Sequence, residues 1–495
     1  MTDGAGRARS MWYLAWRRVG ARPAAVGSAV SSDPVAGQQV ISAAAGRAGR
    51  WDALSRVEVV LAVAAFAVLC MAVLRVTPQL VEPDDYAYRG SILSMTQGHL
   101  LALSTTQAHA LAAQLGHIGP GQILGRPGGG SPSMAWWQWV QLPGGRWISE
   151  KDPGYPFLAA PFQALGIIRL APLSYGALGC LGLFAGARRW LGRFGGAAAV
   201  GLFCSSGAAL LFAWRDYMPT FTDASLIAAG TGVLLWAVLA EEAAARRRIW
   251  IGLLGFVAIE AAVFVRYTNV VVLGCAVAAV LVARWRRAAS VPQGALRWWL
   301  GSAALFAAGV AVFNDLVYGG PLTSGYRPGE VTFSLGAVVP NLRYMPAHLI
   351  VAMPMLVLAL AGLAWIGGQW ARLRRADDEQ GHVARRDFAV GLALAGSWTS
   401  VWALYATYTW TASPDLSTLQ ATRFYVPALG AISLLGAWPV VRVARRAPLA
   451  AVASAAAMVA LFGLGLWSFH TMLNPQHPGP APPPHCNIGQ PHCPS

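Results

Sequence analysis

Long apolar runs, separated by short polar or basic segments, repeat along most of the 495-residue chain. Each run has few or no charged residues and approaches the roughly 20 helical residues that cross a ~30 Å hydrocarbon layer. The pattern predicts an all-α, polytopic membrane protein with about eleven transmembrane helices and a large first external loop. The predicted spans lie near residues 57–76, 170–187, 195–214, 219–240, 249–265, 268–283, 298–314, 346–366, 388–409, 424–441 and 448–468.

The composition supports a membrane protein and excludes several other classes. Hydrophobic residues make up 56% of the chain and charged residues 12%, about half of the roughly 25% charged residues of soluble globular proteins. The core of a soluble protein cannot bury so many long apolar runs. The composition therefore excludes a soluble enzyme, a fibrous protein and a small disulfide scaffold. The net charge of +16 does not indicate nucleic acid as a partner, because the basic residues form short clusters between apolar runs.

The basic clusters also predict the orientation in the plasma membrane. Short Arg-rich loops favour the cytoplasmic side, so we expect the N-terminus inside and the C-terminus outside. Residues 1–56 predict a basic, disordered cytoplasmic extension, and residues 57–470 a transmembrane domain whose first external loop covers 77–153. Residues 471–495 predict a Pro-rich external tail. The cytoplasmic clusters are Arg188, Arg189 and Arg193; Arg246–Arg248; Arg284, Arg286 and Arg287; Arg372–Arg375 with Arg385 and Arg386; and Arg442, Arg445 and Arg446.

Residues 155–168 are apolar but form a run of only about 14 residues, which is too short for an ordinary span. If they crossed the membrane, the next basic cluster would lie outside. We therefore predict an interfacial or re-entrant helix on the outer face.

Two adjacent acids, Asp84 and Asp85, follow the first predicted span at the membrane boundary. The start of a solvated loop explains such a pair, and so does a catalytic or metal-binding site. Because neighbouring carboxylates repel each other, both stay ionised only if a cation lies nearby. Arg89 is four or five residues away and is the candidate partner if this segment is helical.

The end of the same loop carries Glu150 and Lys151, and Lys151 is the only lysine among the 37 basic residues. The prolines and the glycine that follow restrict the backbone where the chain returns to the membrane. A surface charge cluster at a turn and a substrate-binding site are both compatible with this segment.

Asp223, Arg266 and Arg423 are further candidates on the predicted outer face. Asp223 lies about one turn inside an apolar run, where an ionisable residue is a functional candidate. Arg266 and Arg423 stand at the outer ends of predicted spans, and Tyr425 lies two residues after Arg423. Each guanidinium either anchors its helix at the headgroups or binds a phosphate through two N–H groups.

These motifs, in this order, resemble the GT-C superfamily of membrane glycosyltransferases, and most of all its protein O-mannosyltransferase and aminoarabinose transferase-like branch. The resemblance covers roughly residues 57–441 and implies a polyprenyl-phosphate sugar donor, an external active site and inverting transfer to a hydroxyl or amine. It implies that Asp84 is the catalytic base. The family's Glu-Lys-Pro-Pro-like element matches Glu150 and Lys151, with Asp152 interrupting before Pro153. The motifs that carry the resemblance are Asp84-Asp85, Ser149–Pro156, Arg266–Asn269, Asn314–Tyr326 and Arg423–Pro427.

The residue types themselves suit this chemistry. A phosphate leaves as a stable anion, so one carboxylate base suffices to take the proton of the acceptor, and the basic residues named above offer cations for the developing charge. The sequence leaves open whether a divalent metal ion is held by Asp84 or Asp85 together with Asp223. The expected partners are the lipid-linked donor, the bilayer, and an acceptor glycan, lipid or protein.

Two other functions are compatible with the spans and the basic tips. A flippase or transporter for lipid-linked sugars needs ionisable residues along a path near mid-bilayer and two accessible faces, whereas only Glu260 lies deeper here. A degenerate family member that acts as an assembly partner is the other alternative. The presence of Asp84, Glu150 and Lys151 argues against it.

The Pro-rich tail contains Cys486 and Cys493, each preceded by a histidine. In an oxidising external compartment, a disulfide between the two cysteines is the favoured interpretation. A zinc site formed by the two His-Cys pairs is the alternative, and neither bears on the main activity.

Overall fold

The computed structural model describes residues 56–80, 83–99, 102–116, 138–141, 145–285, 291–326, 331–376, 378–414 and 416–473. Residues 1–55 of the predicted extension lie outside these ranges, as does the tail segment with Cys486 and Cys493. The disulfide and zinc interpretations of that tail therefore stay predictions. The contacts reported below are all made within the unit that begins at Glu58.

The described residues form α-helices, short 3-10 helices and one two-stranded antiparallel sheet. The α-helices are α1 (Arg56–Leu74), α2 (Pro83–Thr96), α3 (Thr105–Gly116), α4 (Gly154–Ala164), α5 (Leu170–Leu191), α6 (Gly195–Cys204), α7 (Gly207–Trp214), α8 (Thr220–Leu239), α9 (Ala245–Val265), α10 (Val270–Trp285), α11 (Ala295–Tyr318), α12 (Val338–Ala352), α13 (Leu356–Leu373), α14 (Glu379–Ala406), α15 (Thr418–Thr422), α16 (Leu429–Ala444) and α17 (Pro448–Leu473). The strands are β1 (Trp139–Gln141) and β2 (Trp147–Ser149), and the 3-10 helices are Tyr267–Asn269, Leu335–Ala337, Trp410–Ala412 and Val426–Ala428.

Ten of these helices are long and apolar enough to cross a membrane, and the bent pair α6–α7 makes eleven if it forms one span. The ten are α1, α5, α8, α9, α10, α11, α13, α14, α16 and α17. The predicted fold class, an all-α polytopic membrane protein, is thereby confirmed, and the chain is a multi-pass membrane protein.

The predicted span 195–214 is not one continuous helix. Helices α6 and α7 meet at an angle of 60°. The hydroxyl of Ser206 accepts the N–H of Ala209 at 3.4 Å and so caps the start of α7. The backbone of α17 approaches the break so closely that a Cβ on Gly465 would lie 1.8 Å from the carbonyl oxygen of Ser205. A continuous apolar run therefore conceals a break made by capping and close packing.

The predicted span 346–366 is also misplaced. It joins the end of α12 to the start of α13, and the two helices are separated at Met353–Met355. Pro354 has no N–H to continue the helical hydrogen bonds, which explains the break. Of the two, only α13 is long and apolar enough to span.

The burial of each helix separates the centre of the bundle from its lipid-facing edge. In the most apolar window of α16, 83% of the residues are buried, compared with 6% in α17 and 11% in α11. The exposed apolar side chains of the outer helices, such as Leu305 and Val459, are typical of surfaces that contact lipid tails rather than water. Helix α16 thus lies at the centre of the bundle.

A compact structure follows the first span. Helices α2 and α3 pack with the β-hairpin around Leu103, Leu111 and Trp139, and β1 pairs with β2 so that Trp139 lies opposite Ser149. Helix α4, at eleven residues, covers most of the 155–168 run and is too short to cross a bilayer. The hairpin was not part of the sequence prediction.

The buried carboxylate of Asp387 connects several helices at the end of α16 that carries Arg442. Asp387 accepts the indole N–H groups of Trp190 and Trp438 at 3.0 and 3.2 Å and pairs with Arg442 at 2.6 Å. Buried charges are tolerated when they are paired and hydrogen-bonded in this way. Arg442 lies in the last turn of α16, whereas Arg423 precedes the first residue of that helix. The sequence predicts the end with Arg442 to be cytoplasmic.

Candidate active site

Three charged residues from distant parts of the chain meet in one contact cluster. Oδ1 of Asp84 lies 3.2 Å from Nζ of Lys151, and Oδ2 lies 2.9 Å from Nη1 of Arg423. Asp84 stands in the first turn of α2, where the exposed N–H groups of a helix favour negative charge. Arg423 stands between α15 and the turn Val426–Ala428 that leads into α16.

The register of the β-hairpin explains how Lys151 reaches this cluster. The pairing of Trp139 with Ser149 places Gln138 opposite Glu150, and the N–H of Glu150 donates to the carbonyl of Gln138 at 3.0 Å. The side-chain amide of Gln138 then donates to Oδ1 of Asp84 at 2.7 Å. The hairpin thus places the amide of Gln138 and the ammonium of Lys151 beside the same oxygen, Oδ1 of Asp84.

The electrostatics of the cluster keep its members ionised. Burial alone would raise the pKa of Asp84, but the charges of Lys151 and Arg423 hold that pKa well below its ordinary range. Burial alone would lower the pKa of Lys151, but Asp84, Tyr326 and Glu150 raise it well above its ordinary value. Glu150 lies 3.0 Å from Nζ of Lys151. Asp84 and Lys151 are therefore both ionised near neutral pH.

The cluster opens into a cavity of about 380 Å³. Its walls combine cations, carboxylates and phenols with apolar side chains, a mixture typical of sites that bind small molecules. The lining residues are Asp84, Tyr88, Lys151, Asp152, Met218, Pro219, Arg266, Tyr267, Thr268, Ser324, Tyr326, Val331, Phe333, Tyr405, Tyr408, Arg423 and Phe424.

Aromatic rings support both cations of the cluster. The guanidinium of Arg423 lies 4.7 Å from the ring centre of Trp410 and 4.6 Å from that of Phe424. Nζ of Lys151 lies 4.9 Å from the ring centre of Tyr326 and 3.5 Å from its hydroxyl oxygen. These contacts stabilise the positive charges without neutralising them, and they add to the ion pairs with Asp84.

Arg266 forms a second charged layer beside the cluster. Its Nε lies 3.1 Å from Oδ2 of Asp223, and its Nη2 donates to the hydroxyl of Thr220 at 3.0 Å. Its Nη1 donates to the backbone carbonyl of Arg423 at 3.1 Å, which fixes the segment that carries the other guanidinium. Asp223 is fully buried and is not among the lining residues, so it acts on the cavity through Arg266.

Asp152 is a cavity-lining carboxylate that the sequence analysis noted only as an interruption of a motif. Its Oδ2 accepts the backbone N–H of Tyr267 at 3.3 Å. Burial raises the pKa of Asp152 to about 7, although Tyr267, Arg266 and Lys151 act to lower it. The pKa values of Asp84 and Asp152, which line the same cavity, are therefore shifted in opposite directions.

The other predicted site residues lie outside the cavity lining. Asp85 is buried and pairs at 2.5 Å with the equally buried Arg215. Arg89, the cation expected from the sequence to support the acidic pair, lies over the ring of Tyr217 at 5.5 Å instead.

Tyr425 was predicted as a binding residue and is buried behind the cavity. Its ring packs against Trp402 and Tyr405, with centroids 5.7 and 6.1 Å away, and only Tyr405 of these three lines the cavity. Glu150 contacts Lys151 but is not a lining residue either. The sequence analysis did not identify Gln138 or Trp410 as contributors, and Tyr326 and Phe424 entered it only as members of the motifs that carry the resemblance.

The predicted metal ligands face cations. Asp84 contacts Lys151 and Arg423, and Asp223 contacts Arg266. Across the residues that the structure describes, no group of three or more His, Cys, Asp or Glu side chains is arranged to hold a metal ion. In this structure cationic side chains contact both carboxylates, and the question of a divalent metal ion, which the sequence leaves open, stays open.

Some solved structures can be aligned with large parts of this chain. The apo oligosaccharyltransferase of Archaeoglobus fulgidus aligns over 82% of this chain and 56% of its own, with 11% identity and a TM-score of 0.47. ArnT from Cupriavidus metallidurans in the apo state aligns over 83% and 62%, with 16% identity and a TM-score of 0.42. The undecaprenyl phosphate-bound form of ArnT aligns over 82% and 62%, with 16% identity and a TM-score of 0.43.

No protein-family model matches the sequence, and no curated protein matches it significantly. The chain spans 56–62% of the length of the three structures named above. With identities and TM-scores this low, the likeness by itself assigns neither a family nor an activity.

Proposed function

We propose that this chain is a membrane glycosyltransferase that moves a sugar from a polyprenyl-phosphate-linked donor to an acceptor hydroxyl or amine. The observation that carries the proposal is the position of Asp84 between Lys151 and Arg423 on the wall of a cavity of about 380 Å³. The order of motifs that resembles the GT-C superfamily supports it.

The two cations fit the leaving group of such a donor. When the bond between the sugar and the phosphate breaks, negative charge develops on the phosphate oxygens. Fixed cations and N–H groups directed at that charge stabilise the transition state more than the ground state. Arg423 presents a planar guanidinium suited to phosphate oxygens, and Lys151 presents a compact ammonium, so together they form the proposed phosphate site.

The surroundings suit a lipid-linked substrate. The helices that frame the site belong to a multi-pass bundle with an apolar outer surface, so a polyprenyl chain can stay in the bilayer while its phosphate enters the cavity. Aromatic rings on the cavity wall, including Tyr405 and Phe424, provide the flat apolar faces on which sugar rings commonly pack. The proposed site faces the extracytoplasmic side, as the positive-inside rule predicts.

We further propose that transfer is inverting. A single displacement, in which the acceptor attacks the anomeric carbon opposite the phosphate, needs one base and no covalent sugar–enzyme intermediate. The anomeric configuration of the product, read by NMR, tests this step separately from transfer itself.

A flippase would need charged residues along a path through the bundle. The charged lining residues Asp84, Lys151, Asp152, Arg266 and Arg423 border a single cavity instead. The deeper Glu260 accepts the hydroxyl of Ser302 at 2.8 and 2.9 Å, which is a contact between neighbouring helices. This distribution favours an enzyme over a transporter.

The test is a transfer assay with purified protein in lipid nanodiscs and a panel of radiolabelled polyprenyl-phosphate sugars. We expect at least one label to become acceptor-bound with the wild type and not with Asp84→Asn. Arg343→Gln is the matched control, because Arg343 is an exposed cation outside the cavity lining. Transfer of no label by the wild type, or equal transfer by Asp84→Asn, would contradict the proposal.

A further inference from the structure

We infer that Asp152, rather than Asp84, takes the proton from the acceptor, an inference that rests on the transfer reaction proposed above. The Asp152 carboxylate lines the same cavity as Asp84, Lys151 and Arg423. It follows Lys151 directly in the sequence and stands where the resembled motif has a proline. The resemblance alone would assign the base to Asp84.

The Asp84 carboxylate is already engaged on both oxygens. Its Oδ1 lies 3.2 Å from the ammonium of Lys151 and 2.7 Å from the amide of Gln138, and its Oδ2 lies 2.9 Å from the guanidinium of Arg423. A proton added to either oxygen would meet positive hydrogens at close range, which makes Asp84 a weak proton acceptor. Its geometry suits a positioning residue that holds the two cations where the phosphate binds.

The Asp152 carboxylate has a contrasting environment. Its Oδ2 accepts one long hydrogen bond, 3.3 Å from the backbone N of Tyr267. Among the ion pairs of the described residues, each within 4.0 Å, none involves Asp152. A neutral N–H stabilises a carboxylate much less than a directly bound cation does. The carboxylate therefore keeps lone pairs for a proton, and it lines the cavity.

The surrounding charges support the same assignment. Burial raises the pKa of Asp152 to about 7, and nearby Asp223 adds to this, while Tyr267, Arg266 and Lys151 oppose it. A general base works best when its pKa is near the operating pH. The remaining titratable groups that interact with Asp152 are phenols, which are ordinarily neutral near pH 7: Tyr88, Tyr267, Tyr318, Tyr326 and Tyr405.

The step balances without any further reactant. The acceptor O–H or N–H gives its proton to an oxygen of Asp152 as the acceptor atom forms a bond to the anomeric carbon. The bond between that carbon and the phosphate oxygen breaks, and its electron pair leaves with the polyprenyl phosphate. Lys151 and Arg423 face the charge that develops there. Asp152 then returns its proton to water in the cavity.

The experiment compares kcat, donor binding and pH dependence in three variants. Asp152→Asn removes the proton acceptor and nearly preserves shape. Asp152→Ala leaves room for added formate, which can act as a small replacement base. Asp216→Asn is the matched control, because burial also raises the pKa of Asp216 to about 7 while that residue is not among those that line the cavity.

We expect Asp152→Asn to lower kcat by about 10²–10⁴-fold while it binds undecaprenyl phosphate within twofold of the wild type. We expect formate to restore part of the turnover of Asp152→Ala, and Asp216→Asn to keep wild-type turnover. Wild-type kcat should rise with pH through the neutral range, because the unprotonated carboxylate is the active form, and this rise should disappear in Asp152→Asn.

The outcomes separate this inference from the function on which it rests. If the wild type transfers sugar and Asp152→Asn does so at a similar rate, Asp152 is not the base and the proposed function stands. If Asp152→Asn loses activity but formate gives no recovery and donor binding falls in parallel, the role of Asp152 is structural. If the wild type transfers no sugar, the proposed function fails and the inference fails with it.

Discussion

The adjacent carboxylates Asp84 and Asp85 should respond very differently to the same substitution. Asp85 is 1% exposed and pairs at 2.5 Å with Arg215, whose side chain is 0% exposed. Asp84 is 17% exposed and borders the cavity. Changing either residue to Asn removes one negative charge and almost no volume, so the comparison isolates the effect of burial.

The expected magnitude follows from that burial. Breaking a buried ion pair by removing one of its members typically costs about 3–5 kcal/mol. We expect Asp85→Asn to lower the free energy of unfolding by this amount. After Asp84→Asn, water in the cavity can hydrate Lys151 and Arg423, so we expect a loss of less than half the Asp85→Asn value.

The assay is an equilibrium SDS titration of the purified protein in mixed micelles, with helix content followed by circular dichroism. A double-mutant cycle with Arg215→Met separates the pair from its surroundings. If the pair is coupled, the double variant Asp85→Asn/Arg215→Met loses clearly less stability than the two single losses added together. A cost below about 1 kcal/mol for Asp85→Asn, as for an exposed pair, would refute the structural role given to Asp85.

Three further predictions concern residues near the cavity and the need for a metal ion. Trp410→Ala should weaken donor binding by about 0.5–2 kcal/mol, the range of a cation–π contact, measured as a rise in the KM for donor, whereas Trp467→Ala on α17 should leave it unchanged. Gly325→Ala should lower both activity and stability in the SDS titration, because the added Cβ would clash with the Cα of Glu150. Wild-type activity and stability of this variant would contradict the prediction, because they would show that the backbone shifts there at no cost. Removal of divalent cations with EDTA should change turnover less than twofold, because Asp84 and Asp223 already contact cationic side chains; loss of turnover that is restored by a metal would contradict this.

Much of the helical framework could be predicted from the sequence. Apolar runs long enough to span a membrane have few structural alternatives, because every backbone N–H and C=O must be satisfied within lipid. For this reason the predicted spans near 170–187 and 219–240 correspond closely to α5 and α8. The two errors, at 195–214 and 346–366, arise where a serine cap or a proline interrupts a helix without reducing the hydrophobicity of the run.

The candidate site was predictable only in its residue types. Asp84, Lys151 and Arg423 attract attention as charged residues at the ends of apolar runs, and the structure brings them into contact. Their partners depend on tertiary geometry, because Asp84 and Arg423 are 339 positions apart. Hydrophobic periodicity carries no information about which loops meet, so neither the pairing of Asp85 with Arg215 nor the role of Gln138 could be inferred.

The central claim is that Lys151 and Arg423 together bind the phosphate of a lipid-linked sugar. Native mass spectrometry of the purified protein with added undecaprenyl phosphate measures this binding directly and needs no knowledge of the sugar or the acceptor. We predict one bound lipid phosphate per wild-type chain and little or none on the double variant Lys151→Met/Arg423→Gln at the same lipid concentration. Equal occupancy of the two proteins would contradict it.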